Sequence, residues 1–455
     1  MTKIIDKPIA FLPIECTPRE FDYKLNLARH FLNAGYDVMI GNPPFLRDEL
    51  KYKNFMGVFL EKGVNPDPAY YNDLKQRNIL LYCLSDEGAA HPAFSVTYQP
   101  AVDALKTMEK IFLWGKFQYN DLIDRNTDSE LNNKYQVTGN PGFEFSLPTY
   151  KEYNQKLKPK SLPEHYILVN TNFAMYNGFN LTETRKACTA MSPETLRDLE
   201  ELERHDEKAF LSFYAWLLEI VKALPQEQFL VRPHPSEKIE KYIKYFADYK
   251  NVMVSKQGSV NQVISSAKLV IHRDCTTALQ SFLMGIPVVS LIHSNYAHIH
   301  SPWSLAFGAQ PQTVTEAQQI ITYILKHDGL APDMAANIRS SAEQHMAERF
   351  CNLGNSTRDI VSIMVPKMTA LLNNFKAYKV SDTRTLLQKL KLAVRKFLPL
   401  HYKVAQASRG LLLPFSEQDI RKRLDFLQAV DGLRLNCNIQ KLFPNAYLIS
   451  QRSSI

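Results

Sequence analysis

Apolar residues in the first third of the chain alternate between continuous runs and helical spacing. Ile9-Ala-Phe-Leu-Pro-Ile14 is a continuous run, and Leu25, Ala28, Phe31 and Leu32 then recur three and four residues apart. The pattern predicts a strand over 9–14 and a helix over 21–33 that stops at Gly35. Asp37-Val-Met-Ile40 reads as the next strand, which puts the loop over 15–20 at the carboxyl edge of a βαβ opening. Further strands are expected at 79–84, 111–114 and 134–138, the last closed by Gly139-Asn-Pro-Gly142. Residues 1–150 are therefore expected to form a Rossmann-like layer structure.

The stretch over 148–163 is rich in Lys, Pro, Tyr and Gln without apolar period, so a linker is expected at 151–163. A second alternation follows. Strands are expected at 166–170, 228–232, 269–272 and 287–291, with a polar helical stretch near 190–224 and helices at 260–266 and 277–284, the latter stopped by Gly285. That pattern predicts a second parallel α/β domain over 164–350. A helix over 351–375 would cross back to the first domain, and residues 376–455 read as a basic helical C-terminal extension. The expected fold class is α/β, two Rossmann-like domains facing a cleft, which is the GT-B architecture.

A chain of 455 residues with 45% hydrophobic content exceeds one ordinary core, in keeping with two domains. Six scattered cysteines without a C-x-x-C pair fit neither a zinc site nor a disulfide framework and suggest a reducing compartment. The polar N-terminus does not read as a signal peptide, and no run of apolar residues is long enough to span a bilayer. A cytoplasmic location is expected.

The net charge of +8 changes the picture once it is located. Residues 371–410 hold nine basic residues (Lys376, Lys379, Arg384, Lys389, Lys391, Arg395, Lys396, Lys403 and Arg409) against Asp382 alone, which accounts for the entire excess. Leu387, Leu390, Val394 and Phe397 lie among them at helical spacing. A basic amphipathic helix of this kind suits the anionic inner face of a membrane. It could also pack back on the first domain with its charges solvated. No aromatic and basic platform accompanies the charge, so nucleic acid is not an expected partner.

Candidate chemistry gathers where the expected strands end. Phe229-Leu-Val-Arg-Pro-His-Pro-Ser-Glu237 puts His234 between two prolines that restrict the backbone and remove amide donors, so the imidazole is aimed and can donate to a phosphate oxygen. A surface turn histidine is the plain alternative. Thr276 and Thr277 open a helix after the 269–272 strand, where hydroxyls can cap the helix or face a phosphate. Asp86-Glu87-Gly88 follows the 79–84 run. Gly88 permits a sharp turn there, and a carboxylate in that loop suits a general base for an acceptor hydroxyl.

These three pieces in this order resemble the motif set of bacterial sialyltransferases and polysialyltransferases and of the Kdo transferases of capsule assembly. The resemblance implies that Asp86 is the base with Glu87 beside it, that His234 assists departure of a CMP phosphate, and that Thr276 and Thr277 contact that phosphate. Pro13-Ile-Glu-Cys-Thr-Pro-Arg-Glu-Phe21, Val137-Thr-Gly-Asn-Pro141 and Leu168-Val-Asn-Thr-Asn172 further resemble a family of surface carbohydrate biosynthesis proteins. The sequence departs from that pattern in Cys275 and in its extended C-terminus.

Arg232, Ser236 and Glu237 around His234, with Asn170, Thr171 and Asn172 at the end of the 166–170 strand, complete the expected nucleotide contacts. Glu15, Arg19, Glu20 and Gly88 are expected on the substrate side. Arg19 could grip an acidic sugar's carboxylate or neutralise Glu15 or Glu20. Tyr296, His298, His300 and Trp303 share one loop without an acidic or Cys partner, and there is no Asp-x-Asp, so neither a metal nor any cofactor beyond the CMP-activated donor is expected.

The resulting expectation is a metal-independent glycosyltransferase peripheral to the inner membrane face. It would move a 2-keto sugar acid of the Kdo, pseudaminic, legionaminic or sialic type from a CMP-sugar to a surface polysaccharide or lipid-linked glycan. The alternatives are a CDP-polyol-dependent polyol-phosphate transferase of the teichoic-acid type and a non-catalytic capsule assembly or export factor.

Overall fold

The computed structural model describes residues 4–5, 7–62, 68–85, 102–125, 128–179, 181–191, 193–292, 302–372, 378–397 and 413–452. Among them lie fifteen strands. In chain order these are β1 (Ile4–Ile5), β2 (Ile9–Pro13), β3 (Asp37–Gly41), β4 (Gly57–Lys62), β5 (Ile79–Leu84), β6 (Lys110–Leu113), β7 (Tyr135–Val137), β8 (Tyr166–Asn170), β9 (Phe229–Arg232), β10 (Val252–Val254), β11 (Ala267–His272), β12 (Val288–Ser290), β13 (Tyr378–Lys379), β14 (Cys437–Phe443) and β15 (Ala446–Gln451). Contacts divide the chain into two units: Ser146–His345 forms one, and the described residues before and after that span form the other.

The first unit is built on an eight-stranded sheet in the order β14-β15-β3-β2-β4-β5-β6-β7. From β3 to β7 the strands run parallel. Their apolar runs are buried because helices cover both faces. The Thr17–Asn33 helix carries the Leu25, Leu27, Ala28, Phe31 and Leu32 side chains inward. It ends where Gly35 takes φ +88°, with Tyr36 N–H donating to the Phe31 carbonyl. The Ser356–Leu372 helix packs on it, fastened where the buried Glu144 carboxylate accepts from the Thr357 amide and hydroxyl.

Three expectations need correction. The 151–163 linker is in part the Lys151–Leu157 helix, which buries Tyr153 and Asn154 and sends Gln155 to the Ser265 carbonyl at 3.0 Å. Its polar composition hid a face that needs only two inward residues. β4 was not expected at all. The third concerns the C-terminal extension, which contains the expected helices, Leu386–Phe397 and Glu417–Asp431, and strands besides. β13 pairs with β1, and the β14–β15 hairpin joins the first sheet antiparallel to β3, turning at Asn445 with φ 53°. Arg384, counted above among the nine basic residues of 371–410, is buried against Glu49 at 2.7 Å and Asp382 at 3.1 Å.

The second unit holds a five-stranded, all-parallel sheet in the order β10-β9-β8-β11-β12. One face is packed by Phe210, Phe213, Leu217 and Val221 of the long Pro193–Ala223 helix. The other meets Val263, Ile264 and Met284 beside the short Val260–Ile264 and Thr277–Leu283 helices. In this strand order the direction of winding reverses between β8 and β11, and the loops leaving those two strands flank the place where open α/β sheets bind ligands.

Candidate functional site

Strand register builds the second unit's carboxyl edge. Asn170 pairs with Arg232 on one side and with His272 on the other, and His272 pairs with Ser290. In parallel strands, residues in register point to one face, so these four polar side chains continue the apolar columns of Leu230, Leu168, Val270 and Val288 two residues earlier. His272 Nε2 lies 2.7 Å from Ser290 Oγ. The Arg232 guanidinium reaches the Gly258 carbonyl at 2.9 Å. Asn170 is only 3% exposed, and its amide nitrogen finds no acceptor among the described residues. An unpaired buried amide costs on the order of 1–3 kcal/mol unless something else accepts from it.

His234 stands half-buried in the loop that leaves β9. Its Nδ1 lies 2.6 Å from Ser236 Oγ and accepts from the Ser236 amide at 3.3 Å. An amide can only donate, so Nδ1 is the acceptor and the neutral ring carries its proton on Nε2. Below the loop, the fully buried Glu237 carboxylate accepts from the His234 amide at 3.0 Å, from Thr171 Oγ1 at 2.9 Å and from the Tyr242 hydroxyl. Burial pushes the Glu237 carboxyl up from its ordinary range, against those hydrogen bonds.

The two loops at the winding reversal are tied together. Asn172 donates to the Asp274 carbonyl at 2.7 Å, and Arg273 donates to the Asn172 carbonyl at 2.7 Å. Arg273 turns to the opposite face, where it pairs with Asp206. At the start of the Thr277–Leu283 helix, Cys275 Sγ accepts from the Thr277 amide at 3.3 Å and lies 2.7 Å from Thr277 Oγ1. Burial raises the Cys275 thiol to about 11, so it caps as a neutral group. Thr276 makes no capping hydrogen bond with its side chain and stays partly exposed.

The expected nucleotide contacts therefore divide. Arg232, His234, Asn170 and Thr276 share the sheet edge or the loops beside it. Thr171, Asn172, Ser236, Glu237 and Thr277 each have the internal partner named above and brace a loop. His272, Ser290 and Lys256 were missed. His272 was legible in principle, as the polar residue in phase with Val270. Lys256 depends on the pairing of β10 with β9, which local pattern does not reveal.

In the first unit the winding reverses between β2 and β4, with Glu15 after one strand and Lys62 ending the other. The Glu20 carboxylate folds back over its helix start, accepting from the Glu15 amide at 2.9 Å and the Cys16 amide at 3.1 Å. Lys62 lies beside the two carboxylates, at 3.0 Å from Glu15 and 2.7 Å from Glu20, and the Arg19 side chain is exposed. Glu20 is thus a structural brace, while Glu15 and Arg19 remain open to solvent. Asp86, Glu87, Gly88, Tyr296, His298 and His300 lie outside the described residues.

No family model and no curated protein sequence matches this chain. Among solved structures, the wall teichoic acid polymerase TagF, determined as a variant soaked with CDPG, matches 82% of this chain and 91% of its own at 10% identity, with a TM-score of 0.52. UDP-GlcNAc 2-epimerase from Neisseria meningitidis, bound to UDP-GlcNAc, matches 81% of this chain and 100% of its own at 13% identity, with a TM-score of 0.45. The Methanocaldococcus jannaschii UDP-GlcNAc 2-epimerase matches 78% and 99% at 12% identity, with a TM-score of 0.41. The TagF likeness bears on the fold alone: this is a two-domain α/β chain of the GT-B class.

Proposed function

We propose that this protein is a transferase of surface-glycan assembly that takes a cytidine-nucleotide-activated donor and lets CMP depart at the second unit's sheet edge. The observation that carries this reading is His234, whose Nδ1 is occupied by Ser236 so that Nε2 is the nitrogen able to donate. A fixed donor beside Arg232 and the unpaired Asn170 amide would stabilise the charge that develops on a departing phosphate. Thr276 would add a hydroxyl contact. On the substrate side Asp86, with Glu87 next to it, would take the acceptor's proton, and Glu15, Arg19 and Gly88 would border the acceptor.

In the first reading the transferred group is a 2-keto sugar acid from a CMP-sugar, and the acceptor is a surface polysaccharide or lipid-linked glycan. A second reading, transfer of a polyol phosphate from a CDP-polyol, is favoured by the likeness to a teichoic acid polymerase studied with CDPG. Both release CMP. CMP at about a hundred times its Kd should stabilise the fold by ~2.7 kcal/mol, a rise of a few degrees in melting temperature. UDP and GDP should shift it much less. Equal shifts with all three nucleotides, or none, would sink the cytidine assignment. CMP release from CMP-Kdo or CMP-sialic acid as against CDP-glycerol then separates the two donors.

The protein is further proposed to bind the membrane surface peripherally. On the Leu386–Phe397 helix, Leu386, Leu387, Leu390 and Val394 are 76%, 62%, 55% and 51% exposed, with exposed Lys389 and Lys391 at their flanks. Leu392 faces the first unit's core instead. Among the described residues no helix is long and apolar enough to cross a membrane. Each exposed cation near an anionic surface contributes ~1 kcal/mol, and each buried CH₂ group ~0.8 kcal/mol. Replacing Leu387 and Leu390 by Glu should therefore lower sedimentation with phosphatidylglycerol-containing vesicles at least tenfold. Binding that ignores both the substitutions and the anionic lipid would disprove this attachment.

A further inference from the structure

Lys256 lies just beyond β10, where the Ser255 amide already donates to the Val231 carbonyl of β9 at 3.0 Å. Its ammonium donates to the Pro235 carbonyl at 3.1 Å and to the Glu237 carbonyl. These two carbonyls flank Ser236, whose amide and hydroxyl hold His234 Nδ1. The Ser236 carbonyl is fixed separately by the Phe179 amide at 2.9 Å, and the Phe179 ring lies 5.0 Å from the ammonium. One charge thus spans the turn that sets the direction of the imidazole.

We propose that Lys256 is a positioning residue for His234, holding the turn that aims its imidazole. The proposal rests on His234 acting toward the leaving phosphate as described above. Charge-assisted hydrogen bonds are roughly twice as strong as neutral ones, and one ammonium makes two of them here. Burial lowers Lys256 to about 8, and Arg232 on β9 pushes the same way, while Glu237 on the turn and Glu240 at the start of the next helix oppose it. The sign follows: the ordinary lysine value lies higher, so release of the side chain to solvent becomes harder as pH rises through about 8, and the turn stays held in alkaline solution. The nearby His234 ring belongs to the held element, and Glu237, whose carboxyl is raised by burial, lies beneath it.

The test uses the full chain labelled with ¹⁵N-histidine, with the His234 resonances identified by their loss in His234→Ala. In the wild type, the two ring nitrogens should show the fixed Nε2–H pattern at neutral pH and keep it in alkaline solution. Lys256→Arg keeps its charge and should hold the pattern into alkaline solution, whereas Lys256→Met should lack it throughout. CMP release should follow, with kcat down about tenfold or more in Lys256→Met, KM little changed, and most of kcat kept in Lys256→Arg. Lys256→Gln stands in if the Met variant does not fold.

An unchanged His234 spectrum in the neutral variants, or a pattern lost as fully in Lys256→Arg as in Lys256→Met, overturns the proposal. The imidazole spectrum requires no donor. A wild type that releases CMP from nothing therefore refutes the functional reading while the positioning claim is still decided.

Discussion

His234→Ala is expected to lower CMP release by about 10²–10³-fold while leaving the melting temperature within a degree or so of wild type. The loss follows from removing a side chain held as a donor toward the departing phosphate, where such groups are worth roughly that factor. The fold should survive because the imidazole is only half-buried, and Glu237 anchors residue 234 through the backbone amide, which Ala retains. Ser236→Ala is the informative companion. It removes the 2.6 Å hydroxyl contact but keeps the amide donor to Nδ1, so the tautomer persists and the loss should be only severalfold. Added imidazole should restore part of the activity of His234→Ala and none of that of a globally misfolded chain. Activity within tenfold of wild type in His234→Ala would remove the leaving-group role and with it the basis of the functional reading.

The fold was legible where strands are buried on both faces. β2, β5, β8 and β11 are runs of Ile, Leu, Val and Phe, and those runs survive as the strand centres. β4 was not legible because its apolar centre runs straight into Glu61 and Lys62. Glu61 is buried through Arg47 at 2.9 Å and Tyr71 at 3.3 Å, and Lys62 is neutralised by Glu15 and Glu20. Those partners are distant in sequence, and a local pattern cannot credit them.

The candidate site divides in the same way. Two prolines around one histidine announce an aimed side chain, and they sit at a strand end. Which neighbours face outward depends on register. Ser236 and Glu237 look as available as Arg232 in the sequence, yet one is spent on the imidazole and the other lies beneath the loop. Lys256 looked like an ordinary surface lysine until β10 was laid beside β9. The alternation over 437–442 was readable too, with Cys437 and Ile439 buried and Asn438 and Gln440 exposed. The basic charge upstream directed attention to a helix instead.

That hairpin supports the other large expectation: ending the chain after Gly432 should leave the first unit unable to fold. β15 pairs with β3 from Ala446↔Gly41 to Ile449↔Val38, and Ala446, Tyr447, Leu448 and Ile449 are all buried. Phe443 stacks on Phe45 with centroids 4.9 Å apart. Each of the large side chains lost is worth roughly 1.5–3 kcal/mol of burial, so the group approaches 10 kcal/mol. A domain's whole net stability is about 5–15 kcal/mol. The deletion would also bare β3, a flat apolar edge prone to pairing with other chains.

The Glu417–Asp431 helix, clasped by Arg29–Asp431 at 2.6 Å and Arg423–Asp22 at 2.8 Å, would remain but could not replace strand pairing. Trp114 is the only tryptophan of the first unit, so with Trp216 and Trp303 changed to Phe its fluorescence isolates this unit's unfolding. The truncated chain should show no cooperative Trp114 transition, and Ile449→Ala should keep one that is weaker by ~2–4 kcal/mol. A truncated chain that stays monomeric and melts with wild-type cooperativity would mean that the sheet from β3 to β7 is sufficient and the hairpin only decorates it.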